Sequence, residues 1–208
     1  MRHRGSDSSS VLAVAAMVAA LLVWPAAGQA QLGGILPGGI LPATTTVLSD
    51  TGTLAAGTSD ALRASQVTGS IPSLLTGEVL HAVTIGYPDE IDSEASLAAL
   101  SLSVAGTNIG ADFIMARAMA VAGGVVGISN IDNLSINGLP VPVTGDPNQT
   151  IGIPGGVLVI NEQQVAGDGT TVVNALHAIV DGVADVVVGS ATAGAGGGNA
   201  TAARATTF

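Results

Sequence analysis

Residues 109–121 read I-G-A-D-F-I-M-A-R-A-M-A-V, and their period decides the fold class. Ile109, Ala111, Phe113, Met115, Arg117, Met119 and Val121 occupy every second position. Gly110, Asp112, Ile114, Ala116, Ala118 and Ala120 lie between them. A two-residue period sustained this far predicts a long strand with one face toward a core. The face carrying Phe113, Met115 and Met119 is the expected buried one. Arg117 interrupts it, and a buried charge needs a partner, so an ion pair with an acid on a neighbouring strand is expected.

The same reading extends outward. Leu100, Leu102 and Val104 alternate with Ser101, Ser103 and Ala105 in the preceding strand. Val157-Leu158-Val159-Ile160 and Val186-Val187-Val188 are apolar at successive positions, as in strands covered on both sides. Between the runs lie turn residues. Asn137-Gly138 accepts the positive φ angles of a type I′ hairpin turn, and Asp181-Gly182 reads the same way. Gly167-Asp168-Gly169 joins a strand ending near Gln164 to one starting at Thr170. Pro140 and Pro142 lack an N–H donor and belong at a sheet edge. The expected class is all-β, an antiparallel β-sandwich of about ten strands. A β-solenoid is the alternative, although no repeat of about 20–30 residues supports it.

The flanks differ in composition. Arg2 and Arg4 precede an apolar or small-residue run from Val11 to Trp24, then Pro25 and the small residues Gly28 and Ala30. This predicts a secretory signal peptide over 1–30, cleaved near Ala30, and a secreted, periplasmic or extracellular location. Residues 31–43 hold the repeat Gly33-Gly34-Ile35-Leu36-Pro37, Gly38-Gly39-Ile40-Leu41-Pro42, a Gly/Pro-rich leader unsuited to helix or strand. The sandwich is placed at 44–192. Residues 193–208, rich in Gly, Ala and Thr, read as a disordered tail.

Composition excludes several chemistries. Fifteen acids stand against five arginines and no lysine, a formal charge of −10. Losing Arg2, Arg4 and Asp7 with the leader leaves the remainder one charge more negative. Such a surface repels nucleic acid and anionic lipid. Without lysine there is no P-loop and no Schiff-base chemistry. Without cysteine there is no thiol catalysis, thiolate zinc site or disulfide. The mean hydropathy is +0.59, yet no apolar run after Pro25 has the length of a spanning helix. An outer-membrane barrel would need aromatic girdles, and only Tyr87, Phe113 and Phe208 follow the leader.

Residues 134–163 read LSINGLPVPVTGDPNQTIGIPGGVLVINEQ, and residues 173–191 read VNALHAIVDGVADVVVGSA. These stretches resemble the C-terminal half of the choice-of-anchor P domain of secreted bacterial proteins. The NG turn, the PNQT segment, the INEQ strand end and the NALH strand carry the likeness, and a weaker one reaches back to about Ser49. The resemblance implies a location outside the cytoplasm and no catalytic activity. After Ala191 the chain lacks both an LPxTG motif and a hydrophobic anchor with a basic tail, so release is expected over anchoring.

Candidate sites are few. His81 and His177 are the histidines beyond the leader, too few for a three-ligand zinc centre. His177 is expected as a strand residue pointing opposite to Leu176. No G-x-S-x-G elbow is present. Asp89, Glu90, Asp92 and Glu94 form the densest acidic cluster and are the candidate calcium loop, calcium being the one cofactor considered. Their spacing is not that of an EF-hand. Asn133, Asn148 and Asn199 fit the glycosylation sequon. The expected function is a secreted, non-enzymatic structural or interaction protein of the bacterial envelope or matrix, with adhesion among its expected forms and a cell-surface or matrix partner. A calcium- or ligand-binding module and a self-assembling β-rich surface protein are the alternatives.

Overall fold

A computed structural model describes residues 42–208. The expected signal peptide, and all but the end of the expected Gly/Pro-rich leader, lie outside the described residues. The described chain is all-β and antiparallel, as the two-residue period predicts. Its strands are β1 (Thr44–Asp50), β2 (Asp60–Ile71), β3 (Leu75–Gly86), β4 (Glu90–Val104), β5 (Thr107–Val121), β6 (Gly124–Asp132), β7 (Ser135–Ile136), β8 (Leu139–Pro140), β9 (Gln149–Ile153), β10 (Gly156–Val165), β11 (Thr171–Val180), β12 (Ala184–Gly194) and β13 (Gly197–Thr207). One sheet, here sheet A, has the order β1-β13-β12-β11-β10-β9. The other, sheet B, runs β2-β3-β4-β5-β7-β8, with β6 also paired to β5. Both keep open edges. β12 lies over β4 and β5, β13 over β3 and β4, and β11 over β5 and β6.

The turn residues act as their chemistry requires. Asn137 and Gly138 have φ of 51° and 77° and close the β7–β8 hairpin, which places Pro140 at the sheet edge. At Asp181-Gly182 the loop takes three residues rather than two. Val180 pairs with Ala184, and Gly182 carries a φ of 66°.

The core is aliphatic. Leu80, Leu97, Leu102 and Ile114 of sheet B meet Leu158, Ile160, Leu176 and Val188 of sheet A, all fully buried. Each such side chain contributes about 1.5–3 kcal/mol on leaving water. Small residues fill the space between them, among them Ala116, Ala118, Ala175, Ala178 and Ala202.

Two sequence expectations are overturned. The first concerns β5. Its inward residues beyond Asp112 are Ile114, Ala116 and Ala118, while Phe113, Met115, Arg117 and Met119 are half-buried on the outer face. Bulk did not choose the buried face here. Space did, because a β-carbon added at Gly189 of the opposite sheet would lie 3.3 Å from Ile114 Cγ2 and 3.5 Å from the Ala116 nitrogen.

The second concerns the C-terminal segment. Gly197–Thr207 is an inner strand of sheet A between β1 and β12, and Ala200, Ala202 and Ala203 are fully buried. Small residues are required in this place. A β-carbon at Gly198 would stand 2.6 Å from Ser93 Oγ and 2.9 Å from the Thr192 carbonyl oxygen. A composition typical of linkers is here the composition of a tightly packed strand.

Both sheets are creased along one line. In sheet A, two successive residues turn inward on each of five strands: Leu48-Ser49, Ala202-Ala203, Val188-Gly189, Ala175-Leu176 and Ile160-Asn161. The ladders put Ser49, Ala202, Gly189, Ala175 and Asn161 opposite one another in a row across the sheet. Every other member has positive φ: Ser49 at 49°, Gly189 at 66° and Asn161 at 50°. In sheet B the doubled residues face outward instead, at Glu78-Val79, Ala98-Ala99 and Asp112-Phe113. Val79 and Ala99 carry φ of 48° and 49° there. Side chains splay on the convex side of a bend, as at a β-bulge. Sheet A therefore bows into the core and sheet B bows outward with it. The outer face of sheet A becomes a shallow dish.

Candidate functional site

The crease brings three rows of side chains together on the outer face of sheet A. The central row is Asp50, Thr201, Ser190, Asn174 and Glu162, one residue from each of β1, β13, β12, β11 and β10, in direct register. The row on one side is Val47, Arg204, Val187, His177 and Val159. On the other side are Asn199, Thr192, Val172 and Gln164. The dish they form has a volume of about 550 Å³. Val187 and His177 lie deep, at 2% and 9% exposure.

The polar groups are already joined. Thr201 Oγ1 donates to Asp50 Oδ2 at 2.6 Å, and Ser190 Oγ donates to Asn174 Oδ1 at 2.7 Å. Asn174 Nδ2 donates to Glu162 Oε2 at 2.6 Å, and Gln164 Nε2 donates to Glu162 Oε1 at 2.8 Å. His177 lies between two carboxylates. Its Nδ1 is 2.8 Å from Glu162 Oε2, and its Nε2 is 3.2 Å from Asp185 Oδ1. Both contacts are hydrogen bonds when both ring nitrogens carry protons. Burial pushes the Glu162 carboxyl up, but the hydrogen bonds from Asn174 and Gln164 and the pairing with His177 outweigh it. The group ends below the ordinary carboxylate range.

The bonds of this arrangement are made among its own side chains. Both nitrogens of His177 face carboxylates, and the Ser190 hydroxyl donates to the Asn174 amide oxygen. His177 does point opposite to buried Leu176, as the sequence predicts. His81 lies on β3 of the other sheet, so the two histidines do not share a site.

The candidate calcium loop is not a loop. Asp89 lies in a bend, but Glu90, Asp92 and Glu94 are alternate residues of strand β4, aligned along its outer face. The alternation that defines strands accounts equally for their spacing. Asp92 is taken by Arg117, whose Nε and Nη2 donate to its two oxygens at 2.9 and 2.5 Å. The hydrogen bond and charge of Asp92 raise the Arg117 pKa. This is the ion pair expected from sequence, on the outer face and not in the core. Asp89 and Glu90 instead line a cleft of about 340 Å³ at one end of the sandwich, together with Asp168. Hydrogen bonds from Thr170 hold the exposed Asp168 carboxyl below its usual range. Among the described residues, no three His, Asp or Glu side chains are grouped to hold a metal ion.

Sequence reasoning found His177 but missed the rest of the dish. Asp50, Glu162, Asn174, Ser190 and Thr201 each read locally as an ordinary outward strand residue. Asp50 and Thr201 are 151 residues apart and meet only through register.

Fold and site together define an open-edged β-sandwich with a preorganised polar dish on one outer face. Comparison with protein-family models, curated proteins and solved structures found no match to this chain. Among the described residues, no helix is long and apolar enough to cross a membrane.

Proposed function

We propose that this chain is an extracytoplasmic interaction protein, non-enzymatic, that acts at the bacterial envelope or in the surrounding matrix. The observation that carries this reading is the polar dish of sheet A, whose side chains are held by one another in a geometry suited to contact. The leader-like N-terminus supports the location, and so does the resemblance to the choice-of-anchor P domain. The strong acidity favours partners other than nucleic acid. The test is fractionation of the native host with an antibody to residues 42–208. The expected result is protein in the envelope or the medium. A predominantly cytoplasmic pool would overturn the reading.

A second reading, self-assembly into a surface array, is favoured by one edge. β2 is exposed along most of its length, and Val67 is 82% exposed. Its charged residues, Asp60 and Arg63, both lie in its first four positions, and none follows. Light scattering of the purified full chain checks this reading. Concentration-dependent growth that a Val67→Lys substitution abolishes is expected if the edge pairs, and a persistent monomer removes it.

A further inference from the structure

We infer that the dish on sheet A is a binding site for a neutral polyhydroxylated ligand, a short stretch of glycan, an inference that rests on the interaction reading above. The donor and acceptor inventory of the dish carries it. Ser190 and Thr201 spend their protons on Asn174 and Asp50, which leaves their oxygen lone pairs facing the dish. The Asp50 carboxylate and the Gln164 amide oxygen, both in the lining, also have acceptor capacity left. The surplus is therefore of acceptors, and it matches a ligand that brings many O–H donors. The exposed guanidinium of Arg204 is in no ion pair among the described residues. It supplies donors at the rim for the ligand's own oxygens.

Position and charge argue against other occupants. The dish lies on the face of five hydrogen-bonded strands, and the backbone groups of the inner four are already spent on the ladders. A peptide adding as a strand would pair along the free edge of β1, beside the dish and not across its floor. Two carboxylates of the central row, those of Asp50 and Glu162, outnumber the single arginine, which disfavours polyanions. Apolar ground beside the polar row is supplied by Val47 and Val172, on which the C–H faces of sugar rings can rest. At a strand spacing of about 4.8 Å, the five-strand polar row is about 19 Å long, enough for several sugar units in line.

The test is an NMR titration of the isotope-labelled full chain with neutral gluco-, manno-, xylo- and N-acetylglucosamine oligomers. At least one series is expected to shift the amides of Asn174, His177, Ser190 and Thr201. The affinity should fall at least tenfold in the double variant Arg204→Ala/Asn199→Ala, which alters only outward side chains. Arg63→Ala, on the other sheet, should leave it unchanged. Three outcomes would overturn the inference: no response at millimolar sugar, shifts confined to other surfaces, or affinity untouched by the double variant. A random peptide pool that moves these amides when the sugars do not would also overturn it, in favour of a protein partner. Binding of the full chain to isolated envelopes, measured alongside, separates the two levels. If the double variant still binds, the site is wrong and the interaction reading stands. If the unaltered chain does not bind, the interaction reading falls as well.

Discussion

The two sheets share one backbone device and put it to different uses. Each is creased along a line where the in–out alternation slips by one residue. In sheet A the slip turns paired residues inward, dishes the outer face and gathers Asp50, Thr201, Ser190, Asn174 and Glu162 into a bonded row. In sheet B it turns them outward. That outer face is convex and carries Phe113, Met115, Met119, Val126 and Ile128 around the Arg117–Asp92 pair. Strand curvature alone therefore does not make a site. Its direction decides which face becomes concave, and the side chains on that face decide the chemistry.

The largest expected effect breaks the symmetry of the creases. Gly189 combines a φ of 66° with close contact to Ala175 and Ile114. Gly189→Val should cost about 3 kcal/mol or more from strain and overpacking together. Urea denaturation checks it, and a change within about 0.5 kcal/mol, the usual range for surface substitutions, would mean the crease is not packed as described.

Next in size is the contrast between the two ion pairs. The Glu162 and His177 side chains are 13% and 11% exposed, and Arg117 is 40% exposed. Glu162→Ala removes the acceptor shared by His177 Nδ1 and Asn174 Nδ2 and should cost about 2 kcal/mol. Asp92→Ala should cost no more than about 1 kcal/mol. Equal losses would contradict the account of the two faces.

A pH series sharpens the same contrast. The folded Glu162 carboxyl lies below its reference value of 4.5. Its contribution is thus complete above the unfolded value and is lost as pH falls through the folded one. Thermal melts from neutral to strongly acidic pH should show a loss of stability below pH 4.5 that shrinks in Glu162→Gln. Parallel curves for the two proteins would remove Glu162 as a source.

The smallest effect is expected at the outward crease. Val79 is a β-branched residue at φ 48° and is 63% exposed. Relief of the left-handed strain outweighs the added chain entropy of glycine, so Val79→Gly should stabilise by up to about 1 kcal/mol. A clear loss in melting temperature would count against this backbone.

The strands were legible from sequence because alternation, Asn-Gly turns and edge prolines act over a few residues. The crease was not. Ser49, Val79 and Ala99 adopt positive φ without belonging to the residue types that announce it, so tertiary packing sets their conformation. β13 was hidden for a related reason. Gly, Ala and Thr carry little local signal, and only the narrow gap beside Ser93 and Thr192 makes small size an advantage. The placement of the acidic cluster was not legible either, because Glu90, Asp92 and Glu94 alternate along a strand, where close spacing in sequence does not mean convergence on one point.

Hydrogen exchange of residues 197–207 tests the account most directly, since β13 supplies Asn199, Thr201 and Arg204 to the dish. The amides that the ladders bury along Ala200–Ala205 should exchange as slowly as those in β12 around Val186 and Val188. Exchange across the whole segment at the rate of a free peptide would contradict it, because without β13 neither the inner strand nor the polar row exists.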